Sequence, residues 1–300
     1  MWIKKGLIFE INNHQKWMKT HAALPFSDQI KDQIYRIYFS TRNNRNKASV
    51  GFIERDFENG KTLKISKKAV LSPGKLGTFD ENGVMGSCIV NKKNKKFLYY
   101  TGWGSSKSTP FEWSIGLAIS ENNGKTFEKI SDGPIISKNS HDPYFVGSPT
   151  VIFDKNRWKM WYISTKGWKK SKKELTAPYY LKYAESKDGE EWKLNDDIAI
   201  NVSKKEIGLG RASVIKEDKI YKMWYAYATT KYRIGYAESI DGKKWKRMDK
   251  KAGINVSKNG WDSESIEYPF VFNYKKKKMM LYNGNNFGKT GFGYAVYENK

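Results

Sequence analysis

One aromatic strand motif recurs five times along the chain, and this repeat restricts the fold more than any other feature of the sequence. Each copy contains an aromatic residue that serves as a marker, and successive markers are 57 to 63 residues apart. A repeat of nearly constant period indicates that one supersecondary unit is copied along the chain. The markers cover nearly the whole sequence and are Phe39, Tyr100, Tyr162, Tyr225 and Tyr282.

Further strand-like segments flank each marker. A run of small and β-branched residues precedes four of the markers, and a segment of alternating apolar and polar residues follows all five, as is typical of strands half-buried between layers. The pairs Asp188-Gly189 and Asp241-Gly242 then predict tight turns into an outer strand. We therefore predict an all-β fold, a five-bladed β-propeller with an axial site, in which each unit forms one antiparallel blade.

The same repeat predicts the domain organisation. No linker or change of composition interrupts it, so we predict one domain over residues 1–300. The N-terminal strand at residues 6–11 is predicted to close the ring against the last blade. The blades are predicted at residues 12–70, 71–132, 133–198, 199–253 and 254–300.

The formal net charge of +24 raises the question of a nucleic-acid partner. Only eight of the 55 basic residues are arginine, whereas recognition of phosphates and bases depends heavily on arginine forks. The lysines are scattered in turn-like segments such as Lys275–Lys278. We therefore expect no nucleic-acid partner. A carbohydrate substrate is expected instead, and phosphate or an acidic sugar is compatible with the charge.

Cysteine content and hydropathy indicate the compartment. The single cysteine, Cys88, excludes an intramolecular disulfide. The first residues lack the apolar run of a secretion signal, and no stretch approaches the ~18 apolar residues of a membrane helix. We expect a cytoplasmic protein without a membrane span.

The repeat also indicates where a site would lie. In a propeller, the segments that lead into the innermost strands surround one mouth of the central channel. Here these segments carry polar residues in all five units. The predicted catalytic residues are Asp80, Asp142 and Glu267. The predicted substrate-binding residues are His21, Glu81, Trp103, His141, Trp168, Arg211 and Glu264, with the tryptophans stacking on sugar rings.

Some of these residues also have a purely structural interpretation. Asp80 fits a turn, and Asp142 fits a loop cap before a proline. Arg211 is a stronger candidate, because an arginine that opens an axial strand is costly to bury without a partner. Glu267 directly precedes an axial strand and should point to the channel mouth.

These features resemble the five-bladed propeller glycosidases, which include arabinanases and xylosidases, invertases and levansucrases, and mannoside phosphorylases. The resemblance covers all five units and rests on strands such as Lys222–Ala226, on the Ser-x-Asp-Gly-x-x-Trp turns at Ser186 and Ser239, and on the polar blade starts. The segment Trp261–Phe270 resembles the last blade of uncharacterised sugar-cluster relatives of these enzymes.

The resemblance implies a glycoside hydrolase-like enzyme with an inverting acid and base mechanism. The related hydrolases have a carboxylate on the first blade, whereas the first blade here begins with His21 and has no Asp at that point. In this respect the chain resembles the phosphorylases, so an inverting glycoside phosphorylase is an alternative. A non-catalytic carbohydrate-binding propeller is another. We expect no cofactor, although an axial calcium ion is left open because carboxylates and carbonyls could hold it.

Overall fold

The computed structural model describes residues 1–12, 15–170 and 175–298. Strands dominate this part of the chain, as expected from its repeated β-branched and aromatic runs. The strand β1 (Trp2–Phe9) is followed by five antiparallel units, which we call meanders 1 to 5 in chain order. In each of them the long strands pair with their neighbours in chain order, and in meander 3 a small separate hairpin lies between two of these strands.

The bounds of the strands are as follows. Meander 1 contains β2 (Thr20–Lys31), β3 (Ile34–Arg42), β4 (Ala48–Asp56) and β5 (Lys61–Ile65). Meander 2 contains β6 (Gly83–Lys92), β7 (Lys95–Gly104), β8 (Glu112–Ser120) and β9 (Glu128–Lys129). Meander 3 contains β10 (Gly147–Asp154), β11 (Arg157–Thr165), a small hairpin of β12 (Lys169–Lys170) and β13 (Leu175–Thr176), β14 (Tyr179–Ser186), β15 (Trp192–Lys193) and β16 (Ile198–Ile200).

Meander 4 contains β17 (Gly208–Glu217), β18 (Ile220–Ala228), β19 (Tyr232–Ser239) and β20 (Lys246–Arg247), followed by a 3-10 turn at Asp249–Lys251. Meander 5 contains β21 (Glu267–Tyr274), β22 (Lys277–Asn283) and β23 (Phe292–Tyr297). Between β22 and β23 lies α1 (Asn285–Gly288), a single turn in which Asn286 and Phe287 have left-handed backbone angles of φ 58° and 57°.

The two ends of the chain meet in meander 5. Strand β1, which begins four residues before the predicted 6–11, pairs antiparallel with β23, with Trp2 opposite Tyr297. The buried side chain of Asn283 also joins meander 5 to meander 1, because it donates to the carbonyl of Ala22 at 2.7 Å and accepts the N–H of Leu24 at 2.8 Å. The first strands β2, β6, β10, β17 and β21 contact one another in cyclic order, and β21 contacts β2.

Every first strand is interrupted by a β-bulge at an equivalent place. Three of the bulges contain a proline, which cannot donate a ladder hydrogen bond and is therefore tolerated where pairing is broken. The residue before each of these prolines has a positive φ, between 47° and 55°. The bulges lie at Leu24-Pro25, Ser87, Ser148-Pro149, Gly210-Arg211 and Tyr268-Pro269.

Successive meanders are held together by aromatic side chains that donate to glycine turns. Tyr99 of meander 2 donates to the carbonyl of Gly189 at 2.8 Å, and the indole of Trp161 in meander 3 donates to that of Gly242 at 2.8 Å. Both glycines belong to the Ser-x-Asp-Gly turns, whose serine hydroxyl accepts the glycine N–H. These turns therefore connect neighbouring meanders as well as strands within one. Within the described residues, no helix is long and apolar enough to span a membrane.

Candidate functional site

A cavity of about 370 Å³ lies where the bulges of all five first strands converge. Each first strand contributes to its wall, at His21 to Leu24, Met85, Ser148, Gly210 and Tyr268. Much of the remaining wall comes from the ends of second strands and the starts of third strands. Antiparallel pairing places these ends on the side where the first strands begin. A pocket of this size with a few convergent polar groups is the usual form of a small-molecule site.

Aromatic side chains form a large part of this wall. Trp113 stacks on Phe111, with ring centroids 4.0 Å apart and an interplanar angle of 16°. Tyr232 and Tyr268 lie next to each other with centroids 5.9 Å apart. Flat aromatic faces pack well against the C–H faces of sugar rings while leaving the hydroxyls to polar groups. The aromatic residues of the wall are Trp103, Trp113, Tyr179, Tyr232, Tyr268 and Phe287.

Glu267 does not line the cavity but is buried directly behind its wall, next to Tyr268 in the chain and in contact with Phe287. Its side chain is 1% exposed, its Oε1 accepts the N–H of Phe287 at 3.1 Å, and its Oε2 has no hydrogen-bond partner among the described residues. Burial raises the pKa of Glu267 to about 8, against the opposing effects of the Phe287 N–H and of Lys231. The carboxyl group is therefore protonated near neutral pH and has an oxygen free for another partner.

His21 and Arg42 form the basic part of the wall. The Nδ1 atom of His21 lies 2.9 Å from the hydroxyl of Thr20. Burial, together with the positive charges of Arg42 and Lys289, lowers the pKa of His21 to about 4, so its imidazole is neutral at pH 7. The guanidinium of Arg42 lies over the ring of Trp103 at 5.1 Å. Burial also lowers the pKa of Arg42.

The structure does not place Asp80 and Asp142 at this cavity. Asp80 accepts the phenol of Tyr100 at 3.0 Å and pairs with Lys129 at 2.6 Å. Asp142 accepts the phenol of Tyr162 at 2.9 Å and pairs with Lys182 at 2.9 Å. Both carboxylates are fully buried and saturated inside their own meanders. Their contacts are those of structural residues, and their catalytic role stays a prediction.

The same arrangement recurs in two more meanders. Asp262 accepts the phenol of Tyr282 at 3.0 Å and pairs with Lys4 at 2.6 Å, so that β1 completes the cluster of meander 5. In meander 4, Tyr225 donates to Asp249, which pairs with Arg247 at 2.7 Å. We call these four clusters the Tyr-Asp-cation triads. In each of them the tyrosine is the repeat marker of its meander, whereas the first meander has Phe39 at this position.

Arg211 was predicted to bind substrate at the channel mouth, and it does not lie at the cavity. It is fully buried and does not line the cavity. Its Nη2 donates to the carbonyls of Pro25, Tyr268 and Pro269, at 2.6, 3.0 and 3.2 Å. Burial lowers the pKa of Arg211 to about 9, against the opposing effects of Cys88 and Tyr268. Arg211 therefore ties the bulges of meanders 4, 5 and 1 together beneath the site.

The other predicted binding residues divide into one that lines the cavity and several that do not. Trp103 lines it. Trp168 packs behind the wall, with its ring centroid 5.1 Å from that of Phe111. Glu81 accepts the N–H of Gly77 and the hydroxyl of Ser105, and so holds a loop.

His141 and Glu264 are engaged with surface charges. His141 contacts Asp196 at 2.9 Å, and Glu264 pairs with Lys231 at 2.6 Å on the exposed surface. Neither side chain lines the cavity.

Several wall residues were missed in the sequence, although the repeat contains a signal for them. Arg42 and Trp103 each follow the repeat marker of their unit by three residues, and Trp113, Tyr179 and Tyr232 stand at or near the start of third strands. These positions are equivalent between meanders. Trp103 was predicted from its place after the marker, whereas Arg42, Trp113, Tyr179 and Tyr232 were not, because polar site residues were expected only at the starts of the first strands.

The described residues contain no cluster of three or more His, Cys, Asp or Glu placed to hold a metal ion. A second, more open groove of about 500 Å³ lies at meanders 4 and 5, around Glu217 and Lys278. Its charges are paired with each other, since Glu217 contacts Lys222 at 2.5 Å and Lys278 at 2.6 Å. The aromatic cavity is therefore the better candidate site.

Sequence comparison identifies relatives over the whole chain. A family model for the N-terminal domain of glycosyl hydrolases family 32 matches residues 66–210. Two uncharacterized proteins from two strains of Mycobacterium tuberculosis are each 40% identical over 300 residues, an alignment that covers 99% of this chain and 99% of theirs.

Solved structures similar to this chain include glycoside hydrolases. A glycoside hydrolase matches with a TM-score of 0.77 at 17% identity, covering 99% of this chain and 92% of its own. The endo-arabinase from Bacteroides thetaiotaomicron matches with a TM-score of 0.65 at 13% identity, covering 95% and 99%. The GH43_1 enzyme from Xanthomonas citri, solved with xylotriose, matches with a TM-score of 0.66 at 11% identity, covering 97% and 88%. At these identities the structures establish the fold.

Proposed function

We propose that this chain, which belongs to one family with the two mycobacterial proteins, is a five-bladed β-propeller glycosidase that cleaves a glycosidic bond in the aromatic cavity. The five meanders are then its blades, and the cyclic contacts between their first strands support a ring around one axis. All five bulged first strands contribute to the cavity, which supports a position at the mouth of this axis.

The observation that carries the proposal is the state of Glu267. Leaving a carboxyl oxygen buried without a partner costs free energy, and such groups in native proteins commonly mark functional sites. A carboxyl group that keeps its proton near neutral pH can deliver it to the glycosidic oxygen as the C–O bond breaks. We therefore assign Glu267 as the general acid.

The aromatic wall supports a carbohydrate as the ligand. A sugar that stacks on Trp103 or Trp113 would have its ring held while its hydroxyls meet the polar groups of the bulges. The structural neighbours named above act on arabinan or were solved with xylotriose, so we propose arabino- and xylo-oligosaccharides as the first substrates to be assayed.

The test compares substrates whose leaving groups differ in their need for a proton. We expect Glu267→Gln to lower the turnover of alkyl glycosides and oligosaccharides by about 100-fold or more, because their leaving oxygen must be protonated. Aryl glycosides with acidic phenols need no such proton and should be affected far less. Glu264→Gln, three residues away and exposed, is the matched control and should leave both rates unchanged.

The pH profile gives an independent check. With the pKa of Glu267 near 8, the rate on alkyl glycosides should be flat below this value and fall above it. Equal losses on alkyl and aryl substrates in the Gln variant, or no change on either, would contradict the assignment of Glu267 as the acid. A protein that binds sugars with no turnover at all would instead be the non-catalytic propeller considered above.

One observation favours phosphorolysis as a second candidate. Two-carboxylate hydrolysis needs a base in addition to the acid. Glu267, behind the wall, is already assigned as the acid, and no Asp or Glu is among the described residues that line the cavity itself. Inorganic phosphate can attack the anomeric carbon without such a base, and the lining includes the positively charged Arg42. Release of a sugar 1-phosphate that depends on added phosphate would favour this candidate, whereas equal cleavage in phosphate-free buffer would favour hydrolysis.

A further inference from the structure

Arg42 is a partly buried arginine that differs from two others of the chain, which pair with carboxylates. Arg36 pairs with Glu54 at 2.7 Å, and Arg247 pairs with Glu206 at 2.6 Å. Arg211 has no carboxylate partner either, but it is fully buried and does not line the cavity. Arg42 contacts no carboxylate among the described residues, and its side chain makes one hydrogen bond, from Nη1 to the Oδ1 of Asn46 at 3.1 Å.

The surroundings of Arg42 leave this charge uncompensated. The described lining of the cavity contains no acidic residue, and Arg42 is its one permanently charged member. The ring of Trp103 covers one face of the guanidinium, which leaves its N–H edge as the part that can still bind. A partly buried guanidinium without a counterion favours an anion strongly, because the low dielectric strengthens the attraction.

His21 lies at the same side of the cavity. Its Nδ1 is occupied by the hydroxyl of Thr20, and its Nε2 makes no hydrogen bond within the described part of the chain. The neutral imidazole therefore leaves its Nε2 atom available to a ligand, and it carries no negative charge that would repel an anion. Lys289 is close enough to act on His21 electrostatically, which makes this side of the cavity still more positive.

We propose that Arg42 and His21 form an oxyanion-binding subsite in the cavity, which takes a carboxylate or phosphate group. This inference rests on the proposed function, because it names the kind of glycoside that the site accepts. The anion has two chemical sources. It is either part of the glycoside, as in a uronic acid or a sugar phosphate, or it is inorganic phosphate bound beside a neutral glycoside. The guanidinium fork suits both, since it binds two oxygens of either group at once.

The experiment measures binding by isothermal titration calorimetry in the Glu267→Gln background, so that no turnover is needed. The probes are glucuronate, glucose and inorganic phosphate at one fixed ionic strength. We expect glucuronate or phosphate to bind at least tenfold more tightly than glucose. Arg42→Gln should abolish this preference, and Arg42→Lys should retain only part of it because lysine has no fork.

Arg45→Gln is the matched control for these variants. It removes one positive charge from the same hairpin, three residues away, at an exposed position outside the cavity. It should leave the preference unchanged, which separates local contact from the overall charge of the chain. Urea denaturation of each variant checks that the fold is retained.

The two sources are distinguished by competition and by turnover of the wild type. If phosphate competes with glucuronate and accelerates cleavage of a neutral glycoside, the subsite holds inorganic phosphate. If phosphate only inhibits, and anionic glycosides are cleaved in preference to neutral ones, the anion belongs to the substrate. Equal affinity for glucuronate, phosphate and glucose, no binding of either anion, or a preference that survives Arg42→Gln would overturn the proposal. The binding experiment needs no turnover, so an absence of catalysis alone would contradict the proposed function and not the anion subsite.

Discussion

At Glu267, burial favours the protonated carboxyl in the folded chain, so the free energy of unfolding depends on pH. In the folded chain its pKa is about 8, whereas the ordinary value is 4.5. Below pH 4.5 both states are protonated and this contribution is fully present. Between 4.5 and 8 the unfolded chain loses the proton while the folded chain keeps it, so stability falls as pH rises.

We predict that Glu267→Gln weakens this loss of stability between pH 4.5 and 8. Glutamine cannot ionise, so the variant should lack the part of the decline that Glu267 causes, on the order of a few kcal/mol. Urea denaturation at pH 5 and at pH 8 measures the difference. Glu264→Gln should decline as the wild type does. If the two variants decline alike, burial does not raise the pKa of Glu267.

Arg211 has a structural role that can be measured separately. We predict that Arg211→Ala destabilises the fold by about 3–5 kcal/mol, because it leaves a cavity and removes the donor from three buried carbonyls. The exposed Arg157→Ala should change stability by less than about 0.5 kcal/mol. If Arg211→Ala were as stable as the wild type, the bulges would not depend on this side chain.

Among the elements, the Tyr-Asp-cation triads explain why the marker residues recur. In meander 3 the phenol of Tyr162 and the ammonium of Lys182 both satisfy Asp142, which has no access to water. The buried carboxylate is tolerated because both partners are present. The tyrosine of the repeat is thus retained for its hydroxyl as well as for its ring.

We predict an order of stability for variants of this triad. Tyr162→Phe removes one hydrogen bond to a charged group and should cost about 1.5–3 kcal/mol. Lys182→Met removes the counterion, leaves Asp142 buried and unpaired, and should cost more, about 3–5 kcal/mol. In the double variant Asp142→Asn, Lys182→Met the buried charge is absent, so part of the loss should be recovered. Chemical denaturation of the three variants decides whether the counterion or the phenol contributes more.

An element can be predicted from the sequence when its pattern lies within a few consecutive residues, and not when it is built from distant segments. The strands, the Asp-Gly turns and the pairing of the N-terminal strand with the last unit follow from patterns a few residues long. The triads do not, because the three groups come from separate segments, as with Asp80, Tyr100 and Lys129. A buried carboxylate at the start of a unit therefore has the same sequence pattern whether it is structural or catalytic.

For the whole molecule, the repeat predicted the sheets but not which of their ends build the site. Glu267 was identified because it stands at the start of a first strand, where polar groups were sought. Arg42 was missed because its place in the cavity requires knowing that β3 ends beside the bulges of the first strands. Such proximity follows from pairing and ring geometry, which a single unit does not show.

The pairing of β1 with β23 is a property of the whole molecule, because it joins residues nearly 300 positions apart. The N–H of Glu298 donates to the carbonyl of Met1 at 2.9 Å, so the two ends of the described chain are adjacent. A short turn between residues 298 and 1 would therefore make β23 and β1 a continuous hairpin. A circular permutant that begins at residue 12 and carries residues 1–11 after this turn keeps every strand pair.

We predict that this permutant stays within about 1–2 kcal/mol of the wild type, whereas a chain truncated to begin at residue 12 loses several kcal/mol. Truncation removes the pairing partner of β23 and the cation of the Asp262 triad, and leaves a buried carboxylate and an open sheet edge. The open edge should also make the truncated chain aggregate at concentrations where the permutant remains monodisperse by light scattering. If the two chains were equally unstable, the stability of the fold would depend on the covalent order of the strands and not on the pairing of β1 with β23.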